Sequence, residues 1–178
     1  MTALGPVFQI AYVVPSIDAA LAHWTGVLGV GPFFRAAGIE YAEHVYRGRA
    51  TDTDLSIAWA YSGDTQIELI QQHNDAPSIY RDFVTLSPDG GQQHLGVLVN
   101  DLPAAVREGE GRGLRILQHG ATTNGIAFAY LGDDGQPLGT VIELLQRADA
   151  ILAAFKAIKA AADAWDGVTE PVRPFPSG

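Results

Sequence analysis

Four polar side chains stand at matching positions in two pairs of similar apolar segments. Gln9 and His94 are 85 residues apart, and Glu68 and Glu143, each in an Ile-Glu-Leu triplet, are 75 residues apart. A carboxylate between apolar neighbours in a core strand is costly unless it is paired or binds a metal. Two carboxylates, one imidazole and one amide oxygen suit a divalent ion and leave open positions for water or substrate. The pattern predicts one divalent metal site, bound by Gln9, Glu68, His94 and Glu143.

Taken singly, each of these side chains also has an ordinary structural explanation. A lone Gln9 or His94 would be a hydrogen-bonded polar residue near a strand end. A lone Glu68 or Glu143 would lie at an exposed edge or pair with an arginine. The recurrence of both pairs favours the metal site, because pseudo-twofold packing of two similar halves would bring all four together.

The repeat also indicates the elements that would position these residues. Residues 8–21 (FQIAYVVPSIDAAL) match residues 93–106 (QHLGVLVNDLPAAV), and residues 66–72 match residues 141–147. Each opening segment is an apolar strand followed by a helix start, where Ser16 and Asp101 can act as N-caps. With further strand patterns between the landmarks, each half becomes a β-α-β-β-β unit. Such a unit cannot bury its bare sheet face alone, so two of them would pair around a common cavity.

The predicted boundaries describe a single domain over residues 1–178. The first module covers about residues 6–72, a linker with a short helix at 78–85 covers 73–92, and the second module covers about 93–147. A hairpin-like turn is predicted at 133–139. Residues 148–178 would form a helix that ends near Gly167, then a proline-rich tail. The apolar stripe of that helix, which includes Ile151 and Phe155, is expected to pack on the core or on another subunit.

Composition excludes several classes of function. The chain has no cysteine, which removes disulfides, thiolate metal sites and cysteine nucleophiles. Its formal net charge of −9 disfavours binding of nucleic acid. It has neither an apolar run long enough to cross a bilayer nor a recognisable signal peptide. A cytoplasmic location without membrane association is the default expectation.

These motifs resemble the vicinal oxygen chelate superfamily (glyoxalase, bleomycin resistance protein and dioxygenase), which includes glyoxalase I and methylmalonyl-CoA epimerase. The resemblance rests on FQIAYVVPSIDAALAHWTGVLGVGPFF, QIELIQ, QHLGVLVNDLPAAV and VIELLQ within residues 6–147. It implies an α+β fold in which two βαβββ modules form a cupped, mixed, eight-stranded sheet, with a C-terminal helix added. The family's metal ligands fall on Gln9, Glu68, His94 and Glu143. Zinc is then the first choice of metal, with manganese, cobalt or nickel as alternatives, and a homodimer is expected by analogy.

Two positions narrow the activity that the resemblance implies. Gln9 stands where epimerases and extradiol dioxygenases usually carry histidine, which argues against dioxygen chemistry at iron. Val13 stands where glyoxalase I has an arginine that grips glutathione, which argues against a glutathione thioester substrate.

The resemblance implies a metal-dependent lyase or isomerase that transfers a proton next to a carbonyl of a small, fairly apolar substrate. Glu143 is the expected base and Glu68 the second carboxylate, although the two could exchange roles. The alternatives are a ligand-sequestering protein of the bleomycin-resistance kind and, less favoured, a ring-cleaving dioxygenase.

Six further side chains are candidates for the substrate pocket, and Tyr80 and Arg81 for a lid. For each of them an ordinary core or surface position is the alternative. The six are His44, Tyr46, Trp59, Tyr61, Phe128 and Tyr130.

Overall fold

A computed structural model of the protein describes residues 4–133 and 141–176. Within these ranges one mixed sheet contains eleven strands. The strands are β1 (Val7–Val13), β2 (Phe33–Ala37), β3 (Tyr41–Tyr46), β4 (Arg49–Ala50), β5 (Leu55–Ser62), β6 (Thr65–Gln72), β7 (Gly91–Val99), β8 (Arg115–Thr122), β9 (Ala127–Gly132), β10 (Val141–Gln146) and β11 (Val172–Pro174). The helices are α1 (Ile17–Gly26), α2 (Ile79–Leu86), α3 (Leu102–Gly111) and α4 (Asp149–Asp163). The α+β class and the strand-helix-strand repeat are confirmed.

The sheet has pseudo-twofold symmetry about its centre. Its order is β11-β2-β5-β6-β1-β7-β10-β9-β8-β3-β4, in which the first half supplies β2-β5-β6-β1 and the second supplies β7-β10-β9-β8. The two opening strands, β1 and β7, pair antiparallel, and each pairs in parallel with the closing strand of its own half. Four strands, each carrying one predicted ligand, therefore lie side by side at the centre.

The sheet exceeds the expected eight strands by three. β3 and β4 form a hairpin that belongs to the first half in sequence, but β3 pairs with β8 of the second half. β11 comes from the tail and pairs in parallel with β2 at the opposite edge. The eight-stranded prediction describes the repeated core, and these three strands extend it at both edges.

Helices cover both faces of the sheet. α1 and α3 each pack over an apolar cluster, around Leu69 and Leu144 respectively, while the largest cluster contains residues of α2 and α4. The predicted N-caps are confirmed, since the side chains of Ser16 and Asp101 accept hydrogen bonds from backbone N–H groups of α1 and α3. No helix in the described residues is long and apolar enough to cross a bilayer.

The C-terminal prediction needs two corrections. α4 ends at Asp163, four residues before Gly167, and the proline-rich tail contains a strand. The strand arises because the edge of β2 has free backbone groups that the tail can meet. The turn predicted at 133–139 lies, beyond its first residue, outside the described residues.

Candidate metal centre

Strand register brings the four predicted ligands to one face at the centre of the sheet. On β1, Ala11 is paired with Glu68 of β6 on one side and with His94 of β7 on the other. On β7, Gly96 is paired with Gln9 of β1 and with Glu143 of β10. Side chains alternate along a strand, so residues opposite one another or two apart share a face. Ala11 therefore lies between Glu68 and His94, and Gly96 lies between Gln9 and Glu143.

Three of the candidate ligands lie close together and are buried. One ligand atom from each of Glu68, His94 and Glu143 lies within 4.8 Å of the others. His94 Nε2 is 3.2 Å from Glu68 Oε2 and 3.7 Å from Glu143 Oε2. Two atoms bound to one zinc ion stand about 3 to 3.5 Å apart, because each metal–ligand bond is about 2.1 Å. The spacing therefore fits a single divalent ion.

Unpaired polar atoms support this assignment. In the described part of the chain, five buried side-chain atoms have no hydrogen-bond partner, and three of them are Gln9 Oε1, Glu68 Oε2 and His94 Nε2. Glu68 Oε2 and His94 Nε2 are thus close enough for an ion pair, but they do not form a hydrogen bond. An unpaired buried acceptor costs about 1 to 3 kcal/mol. Three such atoms at one place fit a missing positive partner, and the donor set is what a divalent ion prefers.

The other polar atom of each of these side chains is fixed by a neighbour. Trp59 Nε1 donates to Glu68 Oε1 at 2.7 Å, and Gln9 Nε2 donates to Gln66 Oε1 at 2.8 Å. His94 Nδ1 lies 2.6 Å from Gln93 Oε1 and can donate to it, so in the neutral imidazole Nε2 carries the lone pair. Such outer partners orient metal ligands and set the imidazole tautomer.

Close packing at the centre depends on Gly96. A Cβ atom at this position would collide with Gln9 Oε1 and Cβ. The amide oxygen of Gln9 therefore occupies the space that a side chain on the next strand would fill.

Electrostatics also favour a cation here. Burial raises the pKa of Glu68, and the neighbouring Glu143 carboxylate raises it further. Burial lowers the pKa of His94, but Glu143 and Glu68 outweigh it and bring the value to about 9. Two carboxylates that share one imidazole thus attract positive charge, whether a proton or a metal ion.

The candidate ligands Gln9, Glu68 and Glu143 line the floor of a cavity of about 330 Å³. Its body is apolar, and its mouth carries Glu40, Thr123 and Asn124, which are exposed. The principal apolar wall residues are Trp59, Phe128, Leu145, Ile151, Phe155 and Phe175. The volume and the few polar groups at one end are typical of a small-molecule site.

Of the six candidate pocket residues, three line this cavity: Trp59, Phe128 and Tyr130. Tyr61 lies outside the lining, where its hydroxyl accepts a 3.2 Å hydrogen bond from Gln66.

His44 and Tyr46 also lie outside the lining of this cavity, and His44 lines a second, more open cavity beside β3. His44 is buried and stacks on Tyr41, whose side chain does face the cavity, with ring centroids 4.1 Å apart. Tyr46 is partly exposed and donates to Asp82.

The two candidate lid residues lie in different environments. Tyr80 lines the cavity and is buried, and its hydroxyl donates to that of Tyr130 at 2.8 Å. Arg81 pairs with Asp75 on the surface.

The sequence analysis named Trp59 as a pocket residue, but it did not identify Gln66 and Gln93 as partners of the ligands or the C-terminal residues that line the cavity. Gln93 precedes His94, and Gln66 lies two residues before Glu68 on the same face, so proximity in sequence was an available signal. No comparable signal marked Ile151, Phe155 and Phe175 as cavity residues, because an apolar stripe on a terminal helix is ordinary core packing.

Comparison with known proteins shows the family and the fold. A family model described as the Glyoxalase/Bleomycin resistance protein/Dioxygenase superfamily matches residues 8–130. A search of curated proteins found no match to the sequence.

Solved structures share the fold at low sequence identity. Methylmalonyl-CoA epimerase from Mycobacterium tuberculosis is 20% identical with a TM-score of 0.58, over 86% of this chain and 97% of that one. A variant of the Streptomyces coelicolor epimerase, in complex with 2-nitronate-propionyl-CoA, is 15% identical with a TM-score of 0.53, over 83% and 97%. A triple mutant of 4-hydroxymandelate synthase from Streptomyces coelicolor is 19% identical with a TM-score of 0.57, over 89% and 54%.

The family model spans more than half of the chain, and the repeated modules have the fold that the motifs imply. The resemblance drawn from the sequence is thereby confirmed. The chain belongs to the Glyoxalase/Bleomycin resistance protein/Dioxygenase superfamily.

Proposed function

We propose that this protein is a metal-dependent lyase or isomerase that transfers a proton at a carbon next to a carbonyl group of a small, largely apolar substrate. The observation that carries the proposal is the set of unpaired buried atoms of Gln9, Glu68 and His94. Gln9 and Glu68 line an apolar cavity together with Glu143, and His94 Nε2 lies 3.2 Å from Glu68 Oε2. Buried unpaired groups are costly, so their grouping at one point indicates a function.

The residues that would hold the metal are Gln9, Glu68, His94 and Glu143. Zinc is the first choice, and manganese, cobalt or nickel fit the same oxygen-rich set. When bound, a divalent ion supplies polarisation of a substrate oxygen, which acidifies the neighbouring carbon.

The two glutamates are held differently, and this difference supports a proposed division of roles. Glu68 is fixed by the indole N–H of Trp59. The carboxylate of Glu143 has no donor near it among the described residues other than His94, 3.7 Å away. A base must move relative to the carbon it deprotonates, so Glu143 is the proposed base and Glu68 the orienting carboxylate.

The apolar walls serve the same reaction. They keep bulk water from the floor of the cavity, which strengthens every charge interaction there. Burial in these walls also raises the pKa of Glu68, the proposed orienting carboxylate.

The test begins with metal. Elemental analysis of the purified protein and a zinc titration should give one tight site per chain, and Glu143→Gln should weaken it. The metal-loaded protein should then catalyse deuterium exchange from D₂O into uncharged 2-oxo aldehydes or acyl thioesters. NMR measures this exchange.

Three outcomes separate the candidate functions. Metal binding with substrate-dependent exchange supports the lyase or isomerase. A metal-free chain whose metal affinity is unchanged in Glu143→Gln contradicts it. Ligand binding without exchange across the whole panel would favour the ligand-sequestering alternative.

We further propose that the protein acts as a homodimer. Size-exclusion chromatography with light scattering should give twice the chain mass of 18.9 kDa. A mass that stays at that of one chain across the accessible concentration range contradicts the dimer.

A further inference from the structure

We infer that the proposed site accepts a substrate whose body is uncharged and apolar, and that the C-terminal segment, residues 148–176, selects it. The inference rests on the proposed function for the reacting end of the substrate. It deepens that function by excluding a charged group at the non-reacting end and by assigning the element that recognises this end.

The cavity offers no positive charge to an anionic substrate body. None of the described residues that line it is lysine or arginine. The residues outside the described ranges contain neither type, so they cannot supply one. At the floor, Glu68 and Glu143 would balance the charge of a divalent ion, and Glu40 adds a carboxylate at the mouth.

Three basic residues are adjacent in sequence to the lining, namely Arg35, Arg81 and Lys156, and none of them lines the cavity. Arg81 pairs with Asp75, and Lys156 is exposed on α4. Arg35 precedes Ala36 of the lining, but it points to the other face and pairs with Asp18 at 2.7 Å. Lys159 of α4 pairs with Asp163 at 2.5 Å. Proteins usually bind a carboxylate or phosphate group through a cationic side chain or several hydrogen-bond donors. A substrate with such a group at its far end would need the same support.

The C-terminal segment forms a large part of the apolar wall. Ile151 and Phe155 of α4 are buried and line the cavity. Phe175 follows β11 and lies with its ring centroid 4.8 Å from that of Trp59. Its backbone N–H donates to Arg35 O at 2.9 Å, which continues the pairing of β11 with β2. The wall is thus built into the fold by backbone hydrogen bonds.

This segment follows β10, the last strand of the second module, and like β10 it lies outside residues 8–130, which match the family model. The floor of the cavity belongs to the repeated modules, whereas this wall is an addition to them. An addition that supplies aromatic and aliphatic surface selects substrates by apolar area, about 25 cal/mol for each Å² removed from water.

A matched pair of metal-binding probes tests the inference on the full chain loaded with zinc. 4-Methylbenzohydroxamic acid and 4-carboxybenzohydroxamic acid share the chelating head and differ at the distal position. Isothermal titration calorimetry should show the methyl compound binding at least about tenfold more tightly, because the carboxylate would be buried without a partner.

Placing a cation in the wall should reverse the preference. In Phe175→Lys the carboxy compound should gain at least about tenfold relative to the methyl compound. Val172→Lys adds the same charge at an exposed position of β11 and should keep the wild-type ratio. Phe175 is only partly buried, so the variant should fold, and its circular dichroism and melting temperature are measured first.

The outcomes distinguish this inference from the proposed function. A chain that binds no zinc contradicts the proposed metal site. A zinc-loaded chain that binds both probes equally, prefers the carboxy compound or binds neither overturns the assignment of an apolar body. An unchanged ratio in Phe175→Lys overturns the role of the C-terminal segment.

Discussion

Glu68 and Glu143 occupy equivalent places in the two halves, but only Glu68 is held by an indole N–H. We expect Glu143→Gln to slow proton exchange about 10² to 10⁴-fold at saturating zinc, the usual contribution of a general base. Glu68→Gln should mainly weaken zinc binding and lose less exchange once zinc is saturating. NMR exchange rates normalised to bound zinc provide the measurement. Equal losses in both variants would contradict the assignment of roles.

The indole N–H of Trp59 is expected to support metal binding through Glu68. Trp59→Phe keeps an aromatic wall but removes the donor, and we expect zinc affinity to fall about 10-fold or more. Competition with a chromogenic chelator measures this change. Trp24→Phe is the matched control, since Trp24 packs in the cluster under α1. A Trp59→Phe variant with wild-type zinc affinity would show that the hydrogen bond does not position the ligand.

Stability should depend on pH through His44. Burial, reinforced by His119 and opposed by Asp52, lowers the pKa of His44 to about 4. The unfolded chain takes up this proton near pH 6.5, so the stabilisation is complete above that pH and is lost as pH falls toward 4. We expect His44→Asn to reduce the slope of unfolding free energy against pH in this window. Urea unfolding at several pH values measures it, and parallel profiles for the two proteins would contradict the prediction.

At the scale of elements, the close approach of β1 and β7 determines where Gln9 can lie. Gly96→Ala places a methyl group in the space of the Gln9 amide oxygen. We expect at least about a tenfold loss of zinc affinity, with little change in fold. Gly111→Ala is the matched control, because no atom lies within 4 Å of the added methyl at the end of α3. Isothermal titration with zinc distinguishes the two, and equal affinities would show that Gln9 is not required.

The sequence predicted the repeated elements better than the added ones. Ile-Glu-Leu strands and capped helices carry local signals, namely an apolar pattern and a side chain that can cap. The partner of β3 carries no such signal, because β8 lies about 75 residues further along the chain. The tail strand was missed for the same reason, since proline-rich composition predicts a loop unless a free sheet edge is known to be near.

The whole molecule should unfold as one unit. β3 belongs to the first half in sequence but pairs with β8 of the second, and β1 pairs with β7 across the centre. Neither half can open without breaking pairs in the other, so we expect a single transition in calorimetry. The van't Hoff and calorimetric enthalpies should agree. Two separate transitions, or a first half that is folded when expressed alone, would contradict this interlocking.

In the whole molecule, the metal ligands of the candidate site could be predicted from the sequence, but the wall of its cavity could not. The repeat was sufficient to place Gln9, Glu68, His94 and Glu143 on four central strands. The wall formed by α4 and the tail depends on how far a terminal helix reaches across the open face. That distance follows from packing of the complete molecule, including the contact of Phe155 with Phe8, and not from the periodicity of the helix itself.

The unequal support of the two glutamates bears on the handedness of the product. A site with perfect twofold symmetry would present the same base to both faces of a planar carbon and would yield mirror-image products in equal amounts. Here the side chains break the approximate symmetry of the backbone, because Gln9 corresponds to His94 in the repeat and an indole N–H donates to Glu68. With Glu143 as the proposed base, we expect protonation from its side only and therefore a stereospecific reaction.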